Sequence, residues 1–109
     1  MTYKMIFGAK RRPGMSREDF GRYWTTTHAS IAKRVPGIER YVINLAPDLS
    51  GSGREQAYDG FAEVWFESEQ AMRESARSPE IRAVLDDEPN LFDLSTRFSV
   101  IVREHVMVK

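Results

Sequence analysis

The 109-residue chain carries 16 basic and 16 acidic residues, two histidines and no cysteine, for a formal net charge of zero. This balance supplies no global field for nucleic acid, an anionic membrane or an acidic partner, and the lack of cysteine excludes disulfides and thiolate ligands. Two histidines leave a protein-only zinc site dependent on carboxylates, so a structural metal is not expected. No apolar run approaches the roughly 20 residues of a membrane-spanning helix, which reads as a soluble cytoplasmic protein, and the length suits one domain over residues 1–109.

In chain order, residues 3–10 (YKMIFGAK) alternate, with Tyr3, Met5, Phe7 and Ala9 on one side and Lys4, Ile6, Gly8 and Lys10 on the other, the period of a strand. Arg11-Arg12-Pro13-Gly14 breaks it, and Ser16-Arg17-Glu18-Asp19 has the form of a capping box that starts a helix at Arg17. Along that helix Phe20, Trp24, His28 and Ile31 recur at spacings of three and four and form one buried stripe, with Tyr23 and Thr27 at its edge. Pro36-Gly37 stops the helix, and IERYVINLA from Ile38 to Ala46 is a second strand. The polar stretch 47–57 reads as a mobile loop, and YDGFAEVWF from Tyr58 to Phe66 as a third strand.

Ser68 then caps a helix with Ala71, Met72, Ser75 and Ala76 on its inner face. Ser78 serves as cap and Pro79 as first residue of a short helix with Ile81, Val84 and Leu85 inward, ended by Asp86-Asp87-Glu88-Pro89. Leu91 and Phe92 anchor the next loop, and residues 97–108 form a last strand that sets Phe98, Val100, Val102 and Val106 against Ser99, Ile101, Arg103, His105 and Met107.

The order βαββαβ suits an α+β, ferredoxin-like fold: a four-stranded antiparallel sheet with helices on one face and, from right-handed crossovers, strand order 4-1-3-2. Met5, Phe7, Val100 and Val102 are assigned to the face beneath the helices. The opposite face, with Lys4, Ile6, Lys10, Phe61, Glu63, Trp65, Ile101, Arg103, His105 and Met107, is too apolar to be left in water. A second copy of the same sheet is its simplest cover, giving a two-fold homodimer.

Two ordered motifs then carry a resemblance. A basic turn Arg11-Arg12-Pro13-Gly14-Met15-Ser16 follows the first strand, and the helix ends in Tyr23-Trp24 and His28-Ala29; Arg40-Tyr41-Val42 with Asn44, the run Tyr58–Phe66 and a closing Glu104-His105 extend the match. With these features the chain resembles the EthD family of dimeric α+β barrel proteins almost end to end. The resemblance implies a homodimer with a pocket in each subunit between sheet and helices. Related barrels include methylmuconolactone methylisomerase, polyketide cyclases and cofactor-free monooxygenases.

His28 is the catalytic candidate, because imidazole exchanges a proton near neutral pH and the inner stripe aims it at a pocket. The competing reading is a core histidine satisfied by a backbone carbonyl, Thr27 or Tyr23. His105 falls on the mixed face with Arg103, an interface or edge position. Phe7, Tyr23 and Trp24, with the volume left by Gly60 and Ala62, suit a pocket for a planar ligand, or ordinary core packing. Tyr41 and Asn44 can donate to an oxyanion, but their opposite parity on a regular strand leaves one of them structural. Glu63 is a base or the ion-pair partner of Lys4 or Lys10, with the pair preferred, and Asp93 is a pocket-mouth carboxylate or a turn former. Arg11, Arg12 and Arg17 attract a substrate carboxylate or simply form a solvated turn.

The leading expectation is a cofactor-independent enzyme in which His28 moves a proton on a small aromatic, lactone or polyketide-like substrate, with cyclase, dehydratase or isomerase chemistry. The alternatives are cofactor-free oxygenation of a phenolic substrate and a non-catalytic accessory protein that binds a small hydrophobic molecule.

Overall fold

The structure is a computed structural model that describes residues 3–49 and 55–109. Residues 50–54 of the loop expected over 47–57 lie outside the described residues. The strands are β1 (Tyr3–Arg11), β2 (Ile38–Leu45), β3 (Gly60–Phe66) and β4 (Phe92–Val102). They form one antiparallel sheet in the order β2-β3-β1-β4, the order expected from the βαββαβ sequence. Helices α1 (Arg17–Tyr23), α2 (Ala29–Ala32), α3 (Glu69–Arg77) and α4 (Pro79–Asp87) accompany the sheet, which makes this a ferredoxin-like α+β fold. Among the described residues no helix is long and apolar enough to cross a membrane.

The first helix starts where its cap predicts, since Ser16 Oγ accepts from the Asp19 backbone N–H at 3.1 Å. The reciprocal half of the box is absent among the described residues: the Asp19 carboxylate instead faces Arg22. The expectation of one continuous α-helix also fails. Trp24–His28 is a π turn between α1 and α2. Its cause is legible in Thr25-Thr26-Thr27, because the Thr25 and Thr26 hydroxyls donate back to the carbonyls of Gly21 and Arg22, taking acceptors the helix would use. An α-helix turns about 100° per residue, so a spacing of four drifts forward by about 40°. The wider π turn rotates less per residue and cancels that drift, keeping Phe20, Trp24 and His28 buried on one face. Beyond the turn Ala29, Ala32 and Val35 are buried and Ile31 is only half-buried, so the stripe does not continue through Ile31 as expected.

Phe7, Ala9, Phe20, Trp24, Ala62, Leu91 and Phe92 form the core. Phe92 meets Trp24 at 4.8 Å and Phe7 at 4.9 Å between ring centroids, the tilted and edge-on contacts that aromatic quadrupoles favour. Ser68 caps α3 by accepting from the Ala71 N–H. Ser78 does not cap α4 with its side chain as expected; its hydroxyl donates to the Ser75 carbonyl, and Pro79 alone supplies the helix start.

The largest departure is in β4. It begins at Phe92 rather than Arg97, because Phe92 and Asp93 pair with Arg11 and Lys10, and it ends at Val102, opposite Lys4, where β1 has almost run out. Between Gly8 and Lys10 the register shifts and residues 94–97 bulge. The pairing then sets Phe98, Val100 and Val102 opposite Gly8, Ile6 and Lys4, on the outer face, and Ile101 opposite Met5 on the helix side. The face expected for Val100, Val102 and Ile101 is therefore reversed, since alternation defines two faces but only the bulged pairing decides which is which. Arg103, His105 and Met107 lie beyond the strand and are exposed.

On the outer face Lys4 pairs with Glu63 at 2.9 Å, the ion pair preferred from the sequence, and with Glu104 at 3.3 Å. Trp65 lies between Lys4 and Arg40, at 4.6 and 4.7 Å from its ring, and donates to Glu104 at 3.1 Å. Tyr58, Phe61 and Phe98 cluster over Gly8, which leaves no room for a side chain there.

Candidate active site

Between the sheet and α2–α4 lies a cavity of about 320 Å³. Its wall is apolar almost throughout, with Met5, Phe7, Trp24, Phe92 and the inward residues Ile81, Val84 and Leu85 of α4. The polar groups that reach it are few: His28, Tyr41, Ser75, Glu88 and Arg97. A mostly apolar concavity with a few placed polar groups is the usual form of a small-molecule site.

His28 is 4% exposed, and its Nδ1 lies 2.8 Å from Oδ2 of Asp87 at the end of α4. Among the described residues neither a backbone carbonyl nor Thr27 satisfies it. The Asp87 carboxylate also accepts from the Tyr23 hydroxyl at 2.6 Å and from Asn90 Nδ2 at 2.8 Å, both on Oδ1. Burial pushes the Asp87 carboxyl upward, but the hydrogen bonds from Tyr23, Asn90 and His28 together outweigh it and hold the group below its ordinary value. Donating that hydrogen bond to the carboxylate raises the Tyr23 hydroxyl above its ordinary value, with burial adding to the effect. Facing an ionised acceptor, Nδ1 carries the proton in the neutral imidazole, and Nε2, which makes no hydrogen bond among the described residues, is left with a free lone pair.

Tyr41 projects from β2 to the same cavity, and its oxygen accepts from Trp24 Nε1 at 3.1 Å. Indole is a donor only, so the Tyr41 hydroxyl proton remains unspent among the described residues. Burial raises this phenol above its ordinary value, with Trp24 opposing, which keeps it protonated as a donor. At the end of the β4 bulge, Arg97 Nε donates to Glu88 Oε1 at 2.9 Å, and the guanidinium lies 4.9 Å from the centre of the Phe7 ring.

Of the residues singled out in the sequence, His28, Phe7, Trp24, Tyr41 and Ala62 line the cavity together. Tyr23 does not; it stands behind His28 on Asp87. Asn44 points to the outer face, where its amide donates to the Phe61 carbonyl and Glu63, as the opposite parity to Tyr41 requires. Asp93 is not at the pocket mouth: it accepts from the backbone and hydroxyl of Ser95 and shapes the bulge. Arg11 and Arg17 turn to Asp59 instead of the cavity. Asp87, Glu88, Asn90 and Arg97 were missed. A signal existed for Glu88, which follows Val84 and Leu85 at helical spacing and so continues the inner stripe of α4; none existed for Asp87, whose role depends on a contact across the fold. Among the described residues no cluster of three or more His, Cys, Asp or Glu could hold a metal ion.

An EthD domain profile matches residues 12–95, a span that contains His28, Tyr41, Asp87 and Glu88. The chain belongs to the EthD family. An EthD family protein from Bacillus halodurans C-125 has the same fold, with a TM-score of 0.76 and 18% identity over 96% of this chain and 100% of that one. A dimeric ferredoxin-like protein of unknown function from Thermobifida fusca follows the fold with a TM-score of 0.68 and 18% identity over 94% of this chain and 90% of the other. SnoaB, a cofactor-independent oxygenase from Streptomyces nogalater, shares it with a TM-score of 0.60 and 14% identity over 98% of this chain and 94% of that one. At these identities the likeness is one of fold. No curated protein matches this EthD chain in sequence.

Proposed function

We propose that this EthD protein is a cofactor-independent acid/base catalyst, a cyclase, dehydratase or isomerase acting on an aromatic, lactone or polyketide-like carbonyl compound. The observation that carries this reading is the 2.8 Å contact of His28 Nδ1 with Asp87 Oδ2 in the wall of an apolar cavity. His28 Nε2 removes a proton from a carbon next to the carbonyl. The electron pair moves to the carbonyl oxygen, where the unspent Tyr41 O–H stabilises the negative charge, while Asp87 stabilises the imidazolium. Return of the proton to another carbon isomerises the substrate, and its delivery to a departing hydroxyl completes a dehydration. Phe7, Trp24 and Ala62 supply the walls that hold a planar substrate and keep water from the enolate.

The test is deuterium exchange next to the carbonyl in a panel of enolisable aryl ketones, butenolides and polyketide-like thioesters, followed by NMR in heavy water. His28→Ala should slow exchange by about 10²–10⁴-fold, the usual contribution of a positioned acid/base. Exchange undiminished in that variant removes His28 from the mechanism. Ligand binding with no exchange in either protein instead supports an accessory binding role.

A second reading, cofactor-free oxygenation of a phenolate, draws on the fold shared with SnoaB. In it the same histidine deprotonates a phenol and the electron-rich ring reacts with oxygen. Oxygen consumed in step with substrate separates it from proton transfer alone. For either reaction we propose a homodimer formed through the outer face of the sheet, supported by the exposed Val100 and the aromatic cluster over Gly8 and by the dimeric Thermobifida fusca neighbour.

A further inference from the structure

We infer that Arg97 is the specificity-determining residue of the cavity and that the substrate is a planar molecule with a carboxylate at the end opposite its reacting carbon. The inference rests on the reading of the cavity as a substrate site and adds the substrate's charge and orientation.

Arg97 is the cation of the cavity wall among the described residues, in a lining that is otherwise almost wholly apolar. It reaches this position through the β4 bulge, held by Lys10 N donating to Thr96 Oγ1 and by Asp93 accepting from Ser95. Bulges of this kind re-aim a side chain beside a site. Glu88 holds the guanidinium by one edge only, with Nε at 2.9 Å from Oε1 and Nη2 at 3.5 Å from Oε2. The other edge, Nη1 with the second Nη2 hydrogen, makes no hydrogen bond among the described residues. That edge is a ready fork for a second carboxylate, with paired parallel bonds. The side chain is 33% exposed, so a ligand can reach it, whereas Glu88 beneath it is buried and keeps it in place.

The geometry also gives the ligand a direction. The Arg97 guanidinium lies 4.9 Å from the Phe7 ring, Phe7 lies 4.9 Å from Phe92, and Phe92 lies 5.6 Å from the His28 ring. These aromatic residues form a path from the cation to the imidazole. A flat ligand along this path places its anion on Arg97 and its far end at Nε2 of His28.

The test compares 2-naphthoate with its neutral amide, 2-naphthamide, by isothermal titration calorimetry. The native protein should bind the acid about tenfold more tightly, as expected of a charge-assisted fork. Arg97→Gln should erase the preference by weakening the acid and leaving the amide within about twofold, while Arg97→Lys retains part of it. Because Arg97→Gln leaves Glu88 without its partner, the paired change Arg97→Gln with Glu88→Gln is measured alongside and should give the same loss of preference. Equal binding of acid and amide by the native protein, binding of neither, or a preference that survives both variants overturns the inference. Neither probe has an enolisable carbon–hydrogen bond next to its carbonyl, so the result is independent of catalysis. Equal binding of acid and amide by the native protein with His28-dependent exchange intact sinks this inference alone, and acid preference without exchange sinks the catalytic reading.

Discussion

His28 and Asp87 are 59 residues apart in the chain and 2.8 Å apart in space, Nδ1 to Oδ2, with Tyr23 and Asn90 both donating to the other carboxylate oxygen. This arrangement fixes more than distance. With Oδ1 filled by two donors, only Oδ2 faces the ring, and the imidazole must present its N–H to it.

Asp87→Asn follows directly. The amide oxygen will occupy the position that Tyr23 and Asn90 address, which turns the amide nitrogen toward His28. The neutral imidazole should then carry its proton on Nε2, the wrong nitrogen for a base facing the cavity. Nitrogen-15 NMR of labelled histidine should show the tautomer inverted, and proton-exchange activity should fall by about 100-fold or more with the fold retained. An unchanged tautomer contradicts the role given to Asp87.

Acid stability gives a second check. The Asp87 and Glu63 carboxyls are held below their ordinary values, Asp87 by its hydrogen bonds overcoming burial and Glu63 chiefly by its hydrogen bond to Lys4. A carboxyl with a lowered folded-state value stabilises the fold above its unfolded-state value, and that contribution disappears as pH falls through the folded-state value. Urea midpoints of the native protein should therefore drop as pH is taken below the ordinary values of 3.8 and 4.5. Asp87→Asn should start lower near neutral pH and show a shallower decline in acid; parallel curves for the two proteins count against the assignment.

Gly60→Ala probes the packing of the cavity wall. A Cβ on Gly60 would overlap the Trp24 ring and approach the Asn44 carbonyl at 3.2 Å. Overpacking of this kind costs about 1–3 kcal/mol. The urea midpoint should fall accordingly, and displacement of Trp24 should loosen its bond to Tyr41, visible in the indole N–H NMR signal.

Val100→Glu probes the outer face. Val100 is 45% exposed and stands in a row with Ile6 and Glu63 across the sheet. A carboxylate there should cost the subunit little and, buried between two sheets, should prevent association. Light scattering should give a dimer for the native protein and a monomer for the variant, with circular dichroism unchanged. A dimer that survives the substitution locates the interface elsewhere.

The sequence by itself determined the element order, the antiparallel sheet and its strand order, the start of the first helix at Arg17 behind its Ser16 cap, the family, and the placing of Phe7, Trp24, His28 and Ala62 on inward positions. These follow from local periodicity, caps and chain connectivity, which neighbouring residues encode. The tertiary structure decided which face of β4 is inner, because alternation is symmetric until pairing with β1 and the bulge at residues 94–97 choose a register. It likewise decided the partners of the site. Asp87 and Glu88 read as a polar helix end, Arg97 as the first residue of a strand, and Asn44 and Asp93 as site residues, because burial and pairing between segments far apart in the chain leave no mark on local spacing.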